Sequence, residues 1–130
     1  MAAQVVTITE VPNEYLPIKK ITWAWTTDGA NGAIVDSTAA GTINKTTNKY
    51  SGELMRFVTD PTDGPTDNYD ITILDDDGND VLMGAGANRD TTNTEQVLAS
   101  SLGVCLDTQL RLNIATAGNT KSGKVYLYIK

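Results

Sequence analysis

The sequence contains no histidine and a single cysteine, and both scarcities limit the chemistry that it supports. Histidine is the commonest general base and the commonest metal ligand, so its absence excludes His-dependent triads and HExxH zinc sites. One cysteine excludes an internal disulfide and a cysteine-rich metal cluster. Cys105 lies between Val104 and Leu106. This setting favours a small buried hydrophobic residue and agrees with a reducing compartment.

Basic residues and long apolar runs are scarce as well. Ten Lys and Arg stand against 16 Asp and Glu, which gives a net charge of -6 and an isoelectric point near 4.4. Binding to nucleic acid needs a basic stripe, so we expect no nucleic-acid partner. The apolar runs are too short to cross a bilayer, so no membrane partner is expected. The first residues lack the basic and apolar regions of a secretory signal, which predicts a chain used without export.

Threonine, asparagine and glycine are abundant, with 19, 10 and 11 copies, whereas the sequence has four Glu and one Phe. This mixture is typical of β-strands joined by tight turns. Apolar and polar residues alternate with the period of half-buried strands over residues 19–26, 50–59, 69–74, 109–114 and 124–129. The pattern predicts an all-β fold, an antiparallel β-sandwich or barrel of about 6–8 strands, immunoglobulin-like or jelly-roll-like.

Two parts of the chain are predicted, an extended N-terminal arm over residues 1–18 and a single β domain over residues 19–130. Turn residues at 75–80 predict a hairpin that returns at residues 81–83, and the last two strands look like an antiparallel pair. In the strand at residues 50–59, the charge of Arg56 favours an exposed position. The opposite side of this strand, with Met55 and Phe57, is therefore predicted to be buried. Residues 28–49 indicate a long loop with room for one short edge strand, and residues 96–102 fit a loop, a strand or a helical turn.

Two groups of apolar or aromatic residues are candidate contacts with a partner. The N-terminal arm either pairs with its own sheet or adds a strand to a neighbouring subunit. Tyr126 and Tyr128 oppose the apolar side of the last strand, and two aromatic residues on an outer face indicate an interface. The candidate residues of the arm are Val5, Val6, Ile8, Val11, Tyr15 and Leu16.

Trp23 and Trp25 share one side of a predicted strand and have two possible uses. Side by side, they would form the stacking platform of a carbohydrate-binding module. Ile21 lies on the same side, which favours packing of both tryptophans in the core.

Half of all acidic residues lie between Arg56 and Arg89. Asp75, Asp77 and Asn79 are candidate ligands of a loose calcium site, but they do not complete an EF-hand, because glycine is displaced to position 78 and position 86 is not glutamate. Solvated turn residues are the alternative. A carboxylate pair for hydrolysis lacks a convincing second acid on a strand.

Two glycine-rich segments approach nucleotide-binding motifs without completing them. Residues 118–125 nearly match a phosphate-binding loop, but Val125 replaces the hydroxyl that would bind magnesium, and a strand follows instead of a helix. Residues 84–89 begin like a dinucleotide fingerprint, but Arg89 occupies the third glycine position. We expect no cofactor and, without a nucleophile and base pair, no enzyme activity.

Several segments together resemble a group of small structural proteins of tailed bacteriophages. The resemblance runs from about Lys19 to the C-terminus, and residues 65–96 are its most specific part. The matching segments are SGELMRFVT at residues 51–59, PTDNYDITI at 65–73, DDDG at 75–78, DVL at 80–82, GANR at 86–89, TEQ at 94–96, and Asn119 with GKVYLYIK at 123–130.

This resemblance implies a non-enzymatic virion protein, assembled in the host cytoplasm, and it adds no catalytic residue. The candidates are a capsid decoration (cement) protein, a neck or tail adaptor, and a fibre component. A compact acidic β domain fits a decoration protein, because such a protein binds the shell without binding the packaged DNA. Its expected partner is the major capsid protein or a neighbouring virion protein, and a homo-oligomer is expected.

Two further expectations concern the partner of Arg89 and an alternative function in carbohydrate binding. Arg89 is expected to pair with an aspartate across the hairpin or across a subunit boundary. A carbohydrate-binding or adhesin-like domain, using Trp23 and Trp25 or calcium in the acidic loops, is the alternative from another class.

Overall fold

The computed structural model describes residues 3–11, 18–65 and 68–130. This part of the chain contains eight strands and one 3-10 turn at Ala99–Ser101, and no helix within it is long and apolar enough to span a bilayer. The prediction of an all-β fold is confirmed. The strands are β1 (Val5–Val11), β2 (Lys19–Thr26), β3 (Tyr50–Asp63), β4 (Asp70–Leu74), β5 (Glu95–Leu98), β6 (Val104–Thr108), β7 (Arg111–Ala115) and β8 (Ser122–Ile129).

Two antiparallel sheets divide these strands. The larger sheet has the order β1-β2-β8-β3-β5, and β6 pairs with the beginning of β3. The smaller sheet consists of β4 and β7. Neither sheet closes on itself, so the fold is that of a β-sandwich and not of a closed barrel.

Alternation along the strands of both sheets builds the core between them. In β2 and β8 every second residue is buried, and β4 and β7 bury Ile71, Ile73, Leu112 and Ile114 in the same alternation. Trp23 and Trp25 belong to this core, with 0% and 2% of their surface exposed. The tryptophans therefore pack internally, and the stacking platform is not formed.

A β-bulge interrupts the alternation of β3. Leu54 pairs with Ile129 and Arg56 pairs with the preceding residue of β8, so Met55 is an extra residue on its strand. An extra residue shifts the sides of a strand by one position. Leu54 and Phe57 are therefore both buried, Met55 is half-buried and Arg56 is exposed. The expectation that Met55 and Phe57 share a buried side is wrong for this reason.

The predicted hairpin forms only at its turn, and the predicted pairing of the last two strands is wrong. β4 forms its ladder with β7. The return after residues 75–79 is limited to a bridge between Leu74 and Asp80 and a hydrogen bond of 2.9 Å from the amide of Val81 to the carbonyl of Ile73. Residues 81–83 form turns, because the Asp80 carboxylate accepts hydrogen bonds from the amides of Leu82 and Gly84. β7 does not pair with β8, since the loop between them carries the chain to the larger sheet, where β8 lies between β2 and β3.

The long loop at residues 28–49 runs beside β7. It forms isolated bridges from Ile34 to Ile114 and from Lys45 to Arg111. It contains none of the eight strands, and the short contacts with β7 take the place of an edge strand.

β1 pairs with its own sheet, which is one of the two alternatives for the N-terminal arm. Its register with β2 runs from Val5 opposite Thr26 to Val11 opposite Lys20. Residues 12–17 lie outside the described residues, so the boundary between arm and domain at residue 18 stays a prediction.

The long loop also covers the beginning of the second edge of β1. The amide of Val6 donates to the carbonyl of Gly41 at 2.9 Å. The buried Gln4 side chain donates to the carbonyls of Val35 and Thr42, at 2.8 and 2.7 Å, and accepts from the amide of Val35. These bonds occupy main-chain and side-chain groups that a strand from another molecule would need.

Candidate binding face on the larger sheet

The larger sheet turns one side toward the core. The other side, which we call the outer face, presents side chains that are half-buried or exposed, apart from the buried Val58. Directly opposed residues on antiparallel strands share a side of the sheet, so the register defines this face. Two neighbouring rows form its centre: Val11, Lys20, Tyr128, Arg56 and Leu98, and then Thr9, Thr22, Tyr126, Val58 and Gln96.

Two tyrosines and two cations interleave in the middle of the outer face. The Lys20 ammonium lies 4.9 Å from the centre of the Tyr126 ring and 5.4 Å from that of Tyr128. The Arg56 guanidinium lies 5.5 Å from the Tyr128 ring centre. Cation–π contacts of this kind contribute about 0.5–1 kcal/mol each at exposed sites, so they favour a defined arrangement of the four side chains.

Arg56 is further fixed by its neighbour on β5. Its Nε donates to Gln96 Oε1 at 2.8 Å. With Nε bound and Tyr128 alongside, the two terminal nitrogens of the guanidinium have no hydrogen-bond or ion-pair partner among the described residues. The head group therefore offers a planar pair of donors at a defined place on the face.

Exposed apolar side chains border this centre. Leu98 faces Arg56 on β5, and Val104 and Leu106 continue the apolar border along β6; their exposed fractions are 57%, 58% and 75%. At the opposite edge of the sheet, Val5 and Val11 are about half exposed. Exposed apolar residues beside tyrosine and arginine side chains are a feature of protein interfaces.

The structure separates the interface residues predicted from the sequence into two groups. Tyr126, Tyr128, Val5 and Val11 lie on the outer face. The arm residues that point inward are Val6, which is buried in the core, and Ile8, which packs against it. Neither of these two belongs to the face, and Tyr15 and Leu16 lie outside the described residues.

Sequence reasoning missed the cations and most of the apolar border. Lys20 alternates with the buried residues of β2, so the sequence pattern already indicated that its side chain lies on the side of the strand away from the core. The bulge at Met55 concealed the position of Arg56. Leu98 belongs to a segment whose conformation the sequence left open, and only pairing with β3 brings it to the face.

Within its own chain, Arg89 pairs with a glutamate and not with an aspartate, whereas the alternative of a pair across a subunit boundary stays a prediction. Its Nη1 lies 3.7 Å from Glu95 Oε1, and its Nε donates to the carbonyl of Ala87 at 3.1 Å. Its main chain also bridges to that of Tyr69. A glutamate at the start of β5 takes the place of the acidic turn residues.

The calcium candidates are turn residues whose side chains serve the turn. The Asp75 carboxylate accepts hydrogen bonds from the amides of Asp77 and Asn79, at 3.0 and 2.9 Å. Within the described residues, no three acidic or cysteine side chains are grouped to hold a metal ion. The turn is therefore held by its own Asx-type hydrogen bonds.

A concave region lies beside β7, across the core from the outer face. A cavity of about 480 Å³ is lined by Asp36, Asn44, Lys45 and Arg111 among others. A hydrogen bond from Asn44, together with the Arg111 guanidinium 2.5 Å away, holds the pKa of the Asp36 carboxyl below its ordinary value. This carboxylate accepts hydrogen bonds from Asn44 and Arg111, so it joins the long loop to β7.

Comparisons of the chain with protein-family models, with curated proteins and with solved structures find no match.

Proposed function

We propose that this chain is a non-enzymatic structural protein of a tailed-phage virion, and specifically a capsid decoration protein that binds the assembled major capsid protein through the outer face. The observation that carries the proposal is the cluster of Tyr126, Tyr128, Lys20 and Arg56 within an apolar border. The sequence resemblance to phage structural proteins supplies the class of partner.

The composition of the outer face supports protein binding. Tyrosine and arginine are enriched at interfaces, and residues that contribute most to affinity sit at the centre of a patch whose border excludes water. Here Tyr128 and Arg56 occupy the centre, while Leu98, Val104 and Leu106 lie at one border. A sheet face that spans five adjacent strands suits contact with an extended surface such as an assembled shell.

The state of the acidic residues supports a role without catalysis. Asp75 and Asp80 accept hydrogen bonds from backbone amides of their own turns, and Asp36 is paired with Arg111. Carboxylates engaged in this way stabilise loops and are not free to transfer protons. The carbohydrate-binding alternative loses its stacking platform, because both tryptophans are buried.

The number of copies per particle tests the proposal. Quantitative mass spectrometry of purified virions is expected to give a copy number close to that of the major capsid protein, or a fixed simple fraction of it. A count equal to one or a few rings would instead assign the chain to the neck or tail. Absence from the particles would refute the proposal for a virion protein altogether.

A further inference from the structure

We propose that Arg56 is the anchor of the outer face and that it binds a carboxylate presented by an acidic surface of the partner protein. This inference rests on the proposed function, because it specifies how the same face recognises its partner. The alternative occupants of the face are a neutral protein surface and a second copy of this chain, and the experiment below separates them.

The geometry of Arg56 is that of a fixed donor without an acceptor. Gln96 holds Nε at 2.8 Å and Tyr128 lies beside the guanidinium, so the side chain loses little freedom when it binds. The two terminal nitrogens remain for an external group. A guanidinium presents paired donors that match the two oxygens of a carboxylate.

The distribution of charge along the outer face points to an acidic partner. Two cations of the neighbouring chain segment lie opposite carboxylate residues, Lys124 of β8 opposite Asp60, and Lys130, which follows β8, opposite Glu53. Arg56 instead lies between Tyr128 and Leu98 in its row of the sheet. Among the described residues no carboxylate forms an ion pair with it, in a chain that has 16 acidic residues and a net charge of -6.

Docking would increase the importance of this charge. When Leu98 and Val104 are covered, Arg56 loses contact with water, and an unpaired buried guanidinium is strongly unfavourable. A partner without an acceptor at this place is therefore rejected, whereas a partner with a carboxylate gains a charge-assisted pair of hydrogen bonds. Arg56 thus determines specificity as well as affinity.

The test measures binding of the full chain to purified shells that lack it, by co-sedimentation over a range of chain concentrations. Arg56→Glu is expected to weaken binding on the order of 30-fold or more, and Arg56→Lys, which keeps the charge but loses the paired donors, about 5- to 10-fold. Lys45→Glu is the matched control, because it makes the same charge change at an exposed position beside β7. Its binding is expected to equal that of the wild type.

The outcomes distinguish this inference from the proposed function. If the wild type binds shells and both Arg56 variants bind equally well, the anchor is refuted while the docking function stands. If the wild type does not bind shells, the proposed function fails and the anchor with it. If light scattering shows that the free wild type is a dimer and Arg56→Glu is a monomer, a second copy covers the face and the acidic partner is refuted.

Discussion

Asn44 is the residue of the long loop whose removal has the most predictable consequence. It is 1% exposed, and its side-chain Nδ2 donates to the carbonyl of Leu112 at 2.9 Å and to Asp36 Oδ1 at 3.0 Å. Its Oδ1 accepts from the amide of Ser37 at 3.3 Å, and its main-chain carbonyl accepts from Trp23 Nε1. One side chain thus joins the loop to β7 and orders the loop upon itself.

Replacement of Asn44 by alanine removes three hydrogen bonds and leaves the buried carbonyl of Leu112 without this donor. A buried polar group that loses its partner costs about 1–3 kcal/mol, and each further bond contributes roughly 0.5–1.5 kcal/mol. Water replaces part of the loss near Asp36 and Ser37, so we expect Asn44→Ala to lower the free energy of unfolding by about 2–4 kcal/mol. For a domain of this size the Tm falls by roughly 10 °C.

Urea unfolding followed by tryptophan fluorescence measures this loss directly. Asn119→Ala is the control, because Asn119 is exposed in the loop before β8, and its effect is expected to stay within about 0.5 kcal/mol. If Asn44→Ala lowers the free energy of unfolding by less than about 1 kcal/mol with an unchanged m-value, the reasoning that Asn44 holds the loop on β7 is wrong.

Three other predictions concern β1, the core and the tryptophans. Burial raises the pKa of Glu10, but hydrogen bonds from residues 47, 48 and 50 outweigh it and leave the pKa below its ordinary value. The stabilisation is therefore present above the ordinary carboxyl pKa and lost as pH falls through the folded value. Urea midpoints of wild type and Glu10→Gln should differ at pH 7, and the difference should shrink as pH falls below the ordinary carboxyl pKa. A difference that does not change with pH would contradict this. Gly123→Ala would place Cβ 2.6 Å from Cζ2 of Trp25, so we expect a loss of about 1–3 kcal/mol by thermal unfolding, and an unchanged Tm would contradict the close packing. The emission of Trp23 and Trp25 should be blue-shifted, protected from quenchers and unaffected by added sugars, whereas a red-shifted spectrum would contradict their burial.

The strands that the sequence predicted best are those whose sides differ most in polarity. In β2 and β8 apolar and polar residues alternate without interruption, so the two-residue period alone defined both the strands and their buried sides. β3 was predicted as a strand with the wrong sides, because a one-residue bulge has no signature in the local pattern. The turn at residues 75–80 was predicted correctly. Residues 81–83 were predicted as a strand, whereas the structure continues the turns through them.

Strand pairing was beyond the reach of local patterns. The partner of β4 is β7, about 40 residues farther along the chain, and the preference for it arises from the shared core that Ile71 and Ile114 help to form. Neighbouring strands usually pair, which is why a hairpin was the natural prediction, but here the carboxylate of Asp80 favours successive turns instead. The long loop likewise obtains its position from Asn44 and Gln4, whose polar contacts leave no periodic signal.

The candidate site was predicted in part for the same reason. Tyr126 and Tyr128 were identified because they lie opposite an apolar side of a regular strand. Arg56 and Leu98 became part of the site through the bulge and through pairing of β5, which are both consequences of the folded sheet. A side chain's membership of a binding face therefore depends on register, and register is a tertiary property.

The partly covered edge at β1 bears on how this protein would contact a partner. Strand addition requires free main-chain donors and acceptors at a sheet edge. Gln4 and the amide of Val6 are bonded to the protein's own long loop, and Glu10 accepts hydrogen bonds from the same loop. Opening this edge would break those bonds before any new ones formed. Contact through the outer face does not require those hydrogen bonds to break, because its tyrosines and Arg56 already project from paired strands. Association through the side chains of the outer face therefore costs less free energy than strand addition at β1.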